Sequence, residues 1–142
     1  MAVYTKINKK DLSTINRQYN AKKFVSFKGI KKGIENTNYL LKSKNEKYIL
    51  TIFEKRVSKK EIPFFMKLMD QLSNSKINCP KPLRNFKENY LFKLKNKTAC
   101  IVSFLKGKDK KSLSLKNCYD VGKMIAEIHS STKKIKLNGC LY

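Results

Sequence analysis

Residues 24–53 read FVSFKGIKKGIENTNYLLKSKNEKYILTIF. Three runs rich in β-branched and aromatic residues are separated by GIKKGIEN and by KSKNEK. Such runs favour strands, whereas glycine and polar clusters favour turns. The first turn contains Gly29, Gly33 and Asn36, which accept unusual backbone angles and let the backbone approach a ligand closely. The segment therefore predicts three strands joined by two turns, which open an antiparallel sheet.

The flanking sequence predicts the remaining elements from the spacing of apolar residues. They are a helix within residues 5–20, a helix after Ser58, strands at NYLFKL (89–94) and ACIVSFL (99–105), and a helix from Ser114. Ser58 and Glu61 have capping-box spacing. The helix after them has an apolar stripe, Ile62, Phe65, Met66, Met69 and Leu72. Five short strands with a helix inserted after the third predict an α+β fold, a five-stranded antiparallel sheet with a packed helix.

The net charge of +23 would suit a nucleic-acid-binding module, in which Phe24, Phe27, Tyr39 and Tyr48 could stack on bases. Only three of the 33 basic residues are arginine, however, and arginine is the residue that recognises phosphate in a bidentate manner. The lysines are spread along the chain, as AT-rich codon usage would produce. We expect no nucleic-acid partner, although the charge should favour any phosphorylated ligand.

The sequence also limits the cellular location and the metal chemistry. No apolar run approaches the roughly 18 residues of a membrane-spanning helix, and the first residues lack the apolar block of a secretory signal. A cytoplasmic protein with no membrane partner is predicted. The cysteines at 79, 100, 118 and 140 lack the close spacing of a zinc site, so we expect reduced thiols and no bound metal.

The motifs together resemble one protein family. They are MAVYT (1–5), KGIKKGIENTNYLL (28–41), ILTIFEKRV (49–57), EIPFFMKLM (61–69), CPKPL (79–83), IVSFLKG (101–107) and VGKMIAEIHSST (121–132). In this order they are similar to the aminoglycoside-phosphotransferase-like kinases, and most of all to the bacterial homoserine kinases. The resemblance implies a protein-kinase-like N-terminal lobe with the first helix of a C-terminal lobe. It also implies ATP-dependent phosphorylation of the hydroxyl of L-homoserine, a step of threonine biosynthesis. A related choline or aminoglycoside kinase is the alternative.

The resemblance assigns nucleotide-binding roles along the chain. The loop that covers the phosphates would contain Gly29, Ile30, Gly33 and Asn36. The adenine would be enclosed by Ile30, Ile49 and Val102. The connector, whose backbone binds the adenine edge, would consist of Ser103, Phe104 and Leu105. Kinase-like folds usually place a lysine on the third strand for the phosphates. That position holds Thr51 here, so Lys55 is the candidate replacement and Glu61 its candidate partner.

The residues of the chemical step are not recognisable. The family uses an H-x-D loop and a later magnesium-binding Asp, but His129 is followed by two serines, and neither Asp109 nor Asp120 has the required neighbours. We therefore expect a helical extension at 1–20, a nucleotide-binding lobe at 21–105, and a loop and first helix of a truncated second lobe at 106–142. Such a chain should bind ATP weakly and without dependence on Mg²⁺, which only the full-length enzyme would use. It should be inactive alone.

Overall fold

The computed structural model describes residues 3–19, 22–54, 58, 60–75, 77–107 and 109–133. The elements in chain order are α1 (Lys9–Gln18), β1 (Ser26–Gly29), β2 (Thr37–Lys42), β3 (Lys47–Ile52), α2 (Ile62–Asn74), β4 (Leu91–Leu94), β5 (Lys97–Ser103) and α3 (Leu115–Thr132). The predicted order of helices and strands is confirmed, with α1 shorter than the predicted range. Its start is set by Asn8 and Asp11, whose side chains each accept a backbone N–H of the other residue.

The five strands form one antiparallel sheet in the order β1-β2-β3-β5-β4. Strand β5 pairs with both β3 and β4, so the last hairpin is attached to the sheet beside β3. That hairpin turns at Lys95 and Asn96, with φ of 49° and 61°. Two consecutive positive φ angles are typical of the type I′ turn, whose twist matches that of the flanking strands.

Strand alternation divides the sheet into two apolar faces. One face packs against α1, where Ile15, Leu50 and Ile101 are fully buried. The other face packs against α2 through Ile62, Met66, Cys100 and Val102. Since each face is covered by one helix, the sheet and its two helices form three layers.

The aromatic residues that could have stacked on bases belong to the first of these faces. Phe24 is 1 % exposed, and Tyr39 and Tyr48 are each 4 % exposed. Phe27 is partly buried against the same core. Buried rings have no free face for a base, so the stacking interpretation is wrong for Phe24, Tyr39 and Tyr48.

The start of α2 differs from the sequence prediction. The N-cap residue is Glu61, with helical backbone angles and no capping hydrogen bond from its side chain. Its N–H donates to the carbonyl of Ser58, and Pro63 lies in the first turn, where the absence of an N–H has no cost. The predicted Ser58–Glu61 capping box is therefore wrong. Phe65 also leaves the predicted buried stripe, since it is 46 % exposed.

Helix α3 begins as predicted but packs differently from α1 and α2. The Ser114 hydroxyl accepts the N–H of Asn117, which caps the helix. None of its described side chains is buried, and the apolar residues Leu115, Val121, Met124 and Ile125 are all exposed. These residues form an exposed apolar stripe on α3. In the described residues, no helix is both long and apolar enough to cross a membrane.

Candidate functional site

The turn between β1 and β2 is held at its ends and open at its tip. The N–H of Ile30 donates to the carbonyl of Asn38 at 2.9 Å, which extends the pairing of the two strands. Gly33 has a φ of 114°, a conformation that side-chain-bearing residues rarely adopt. Ile34 beside it is 76 % exposed. A glycine-dependent backbone with an open tip can approach a ligand closely.

The four predicted turn residues lie together, but Asn36 is already engaged within the protein. Its Oδ1 accepts the N–H of Glu54 at 3.3 Å, so this side chain ties the end of the turn to the end of β3. Gly29 is needed for close packing, because a Cβ there would lie 3.0 Å from Cγ2 of Val3. These two positions shape the turn, whereas Gly33 lies at its open part.

The sheet face next to α2 brings the predicted adenine-enclosing residues together. Ile49 lies opposite Leu40 on β2 and opposite Val102 on β5. Val102 is 9 % exposed and Ile49 is partly buried. Directly opposed residues of antiparallel strands have side chains in contact distance on one face. The pair therefore forms a continuous apolar surface, close to the end of β5.

On the same face, the structure pairs two polar side chains that the sequence did not relate. The hydroxyl of Thr51 donates to Oδ1 of Asn38 at 2.8 Å. The Nδ2 of Asn38 lies 3.9 Å from where a Cβ on Gly33 would be, so its donors are next to the glycine turn. Asn38 was not identified from the sequence. The available signal was a polar residue on the same face of an apolar strand as Leu40, two positions away.

The connector after β5 uses some of its backbone groups internally. The N–H of Ser103 donates to the carbonyl of Lys81 at 2.8 Å, and the N–H of Phe104 donates to the carbonyl of Lys47 at 3.2 Å. Among the described residues, no backbone carbonyl accepts the N–H of Leu105. Leu105 is 38 % exposed. It is therefore the connector residue whose backbone N–H is best placed to donate a hydrogen bond to a ligand.

A salt bridge joins the glycine turn to the segment after the connector. Lys32 donates to the carboxylate of Asp109, and both side chains are more than four-fifths exposed. The hydrogen bond from Lys32 lowers the pKa of Asp109. Exposed pairs add little stability, but this contact links the turn to the segment after the connector. The strand register places the turn at the end of the sheet with Thr37 and Ile52, and the connector at the opposite end, after Ser103. The apolar pair Ile49 and Val102 lies between the two.

The predicted phosphate lysine and its partner are only partly described. Lys55 lies outside the described residues, so its role stays a prediction. Glu61 is exposed at the start of α2 and forms no salt bridge with another described residue. Within the described ranges, no cluster of His, Cys, Asp and Glu could hold a metal ion.

Comparison with known proteins identifies the family. Residues 26–138 match the model of the phosphotransferase enzyme family (APH), and the chain belongs to this family. Two similar proteins are named homoserine kinase. The one from Parvibaculum lavamentivorans is 38 % identical over 137 residues, 96 % of this chain and 43 % of the relative. The one from Rhizobium johnstonii is 41 % identical over 129 residues, 91 % of this chain and 40 % of the relative.

Two solved structures share the fold of this chain. Spectinomycin phosphotransferase in complex with ADP and spectinomycin superposes with a TM-score of 0.70 at 15 % identity, over 89 % of this chain and 39 % of that chain. Amicoumacin kinase in complex with AMP-PNP and Ca²⁺ superposes with a TM-score of 0.68 at 16 % identity, over 94 % and 42 %. The predicted kinase-like α+β fold is confirmed. The chain spans about two fifths of the length of the relatives that it matches.

Proposed function

We propose that this chain forms the nucleotide-binding part of a cytoplasmic, ATP-dependent kinase that phosphorylates the hydroxyl of L-homoserine. The observation that carries the proposal is the similarity to proteins named homoserine kinase over 96 % of the chain. The glycine turn, the apolar face and the connector support the nucleotide part of it. A choline or aminoglycoside type of acceptor is the alternative, because the acceptor contacts are expected mainly from outside this part.

The nucleotide would bind along the apolar face, between the connector at one end of the sheet and the glycine turn at the other. The adenine ring would lie against Ile30, Ile49 and Val102, since aromatic heterocycles favour flat apolar surfaces. The N–H of Leu105 would donate to the adenine edge. The phosphates would lie under the turn around Gly33, where the strongly basic surface raises the local concentration of anions.

Asn38 is our candidate for a phosphate donor that compensates for the absence of lysine at position 51. The hydrogen bond from Thr51 occupies Oδ1 of Asn38 and so orients the Nδ2 donors away from Thr51. An oriented amide donor adjacent to the turn can bind a phosphate oxygen without an additional ordering cost. Thr51 would then act as a positioning residue for Asn38.

Calorimetric titration of the chain with ATP and with adenosine tests this arrangement. Thr51→Val keeps the shape of the side chain and removes the hydrogen bond, so ATP affinity should fall about three- to tenfold, as for one lost hydrogen bond. Adenosine affinity should not change. The matched control is Thr98→Val on β5, whose hydroxyl accepts from the exposed Lys93. Equal losses for ATP and adenosine would contradict a phosphate role for Asn38, and no binding of ATP would contradict the nucleotide proposal.

A coupled ATP-to-ADP assay with homoserine, choline and an aminoglycoside tests the activity. The chain alone should show no turnover with any acceptor, because the residues of the chemical step are not among its motifs. The complete enzyme should prefer homoserine. Turnover by the 142-residue chain at ordinary kinase rates would contradict the expected inactivity.

A further inference from the structure

The N-terminal segment Val3–Thr5 contacts the glycine turn at its start, its tip and its end. Val3 packs against Gly29, leaving no room for a Cβ. The hydroxyl of Tyr4 donates to the carbonyl of Ile34 at 3.0 Å. The N–H groups of Tyr4 and Thr5 both donate to Oγ1 of Thr37, at 3.0 and 3.1 Å. A single short segment therefore spans the whole turn.

This segment is itself fixed by a polar cluster. The hydroxyls of Thr5 and Thr37 each donate to Oε1 of Glu54 at 2.7 Å. Lys97 on β5 donates to the same carboxylate and to Oγ1 of Thr5. Thr37 is fully buried, and Thr5 is 7 % exposed. Since the cluster joins the segment to β2, β3 and β5, the segment moves with the sheet.

The glycine turn has little support of its own. Its tip is exposed at Ile34, and Gly33 gives it backbone freedom. A flexible loop that must become ordered around a ligand weakens binding by the entropy of that ordering, whereas a loop held in place avoids this loss. Within the described residues, the hydrogen bond from the N-terminal segment to the tip is the one that the hydroxyl of Tyr4 donates.

We propose that Val3–Thr5 is a brace that holds the glycine turn in its nucleotide-binding conformation, with Tyr4 as the positioning residue. This inference rests on the proposed nucleotide function and adds Tyr4, a residue that was assigned no role from the sequence. The hydroxyl of Tyr4 acts through the backbone of Ile34 and need not touch the nucleotide. The hydroxyl should therefore affect only the binding of the phosphates, which are the part of the ligand under the turn.

The brace is tested first on the nucleotide-free chain by amide hydrogen exchange. Tyr4→Phe removes one hydroxyl and should speed amide exchange of residues 31–36 about fivefold. This factor corresponds to the easier opening of the turn when one hydrogen bond is lost. Exchange in β3 should not change. The matched control is Tyr119→Phe, whose ring is 72 % exposed on α3. Unchanged exchange in residues 31–36 would overturn the proposal, whether or not the chain binds a nucleotide.

Measurements of nucleotide binding then distinguish a positioning role of Tyr4 from a general effect on stability. Tyr4→Phe should weaken ATP about fivefold and leave adenosine unchanged, since one hydrogen bond to the turn is lost. Thr37→Val should also weaken ATP selectively, and Thr37→Ser, which keeps the hydroxyl, should restore it. Equal weakening of ATP and adenosine in Tyr4→Phe would overturn the positioning role. Failure of the wild-type chain to bind ATP would refute the proposed function, while the exchange result would still stand.

Discussion

Replacing Glu54 by glutamine tests the polar cluster through its charge. The side chain of Glu54 is 11 % exposed. Burial on its own would raise the pKa of this carboxyl, but the hydrogen bonds from Lys97, Thr5 and Thr37 outweigh burial, so the pKa is lowered. A lowered pKa in the folded state contributes stability above the ordinary pKa of glutamate. That contribution is lost as the pH falls through the folded-state pKa.

The size of the effect follows from the contacts. Glutamine keeps an oxygen that can accept from the hydroxyls of Thr5 and Thr37, but it loses the negative charge next to Lys97. Charge-assisted hydrogen bonds contribute about 1.5–3 kcal/mol, and the 38 % exposure of Lys97 lowers this through solvent screening. We expect Glu54→Gln to cost about 2 kcal/mol at pH 7. At about 4 °C per kcal/mol for a chain of this size, the melting temperature should fall by about 8 °C.

The measurement is urea denaturation of the wild-type chain and of Glu54→Gln, between about pH 7 and about pH 3. This range spans the titration of carboxyl groups. The difference in free energy of unfolding should become smaller as the pH falls, because Glu54 then becomes protonated. Glu127→Gln, an exposed change on α3, is the control and should have little effect. A difference that stays constant across the pH range would refute the electrostatic reasoning, and so would no difference at pH 7.

Three further predictions concern the fold. Gly33→Ala should cost about 1–2 kcal/mol of stability because Gly33 has a positive φ. Gly122→Ala, in the open interior of α3, should instead stabilise the chain by about 0.5–1 kcal/mol. Urea denaturation measures both effects, and equal effects would contradict this account. Leu50→Ala, at a fully buried position, should cost about 2–5 kcal/mol in the same assay. Met124→Lys should reduce self-association in sedimentation velocity, because it interrupts the exposed apolar stripe of α3; unchanged sedimentation would exclude this stripe as the contact.

Much of the fold could be predicted because it depends on local patterns. Period-two alternation and glycine-containing turns located the strands, and apolar spacing located α1, α2 and α3. The start of α2 could not be predicted from Ser58 and Glu61 alone, since capping also depends on the backbone angles that the preceding chain imposes. Phe65 has the spacing of a buried residue, but it lies outside the cluster that packs α2 against the sheet.

The site could be predicted only in part. The turn, the pair Ile49 and Val102, and the connector follow from motifs along the chain. The hydrogen bond between Thr51 and Asn38 depends on the register of β2 with β3, which no single motif specifies. The N–H of Ser103 donates to the carbonyl of Lys81, a residue that lies outside the five strands, so no strand motif predicts this bond.

By itself, the sequence determined the elements of this protein and its family resemblance, because both are properties of residues close together in the chain. Tertiary structure alone decided how the glycine turn is supported. Thr5 and Lys97 are 92 positions apart, yet both bind Glu54 beside the turn. Such a cluster forms only when the N-terminal segment, β2, β3 and β5 have assembled, since each supplies one of its hydrogen-bonding groups.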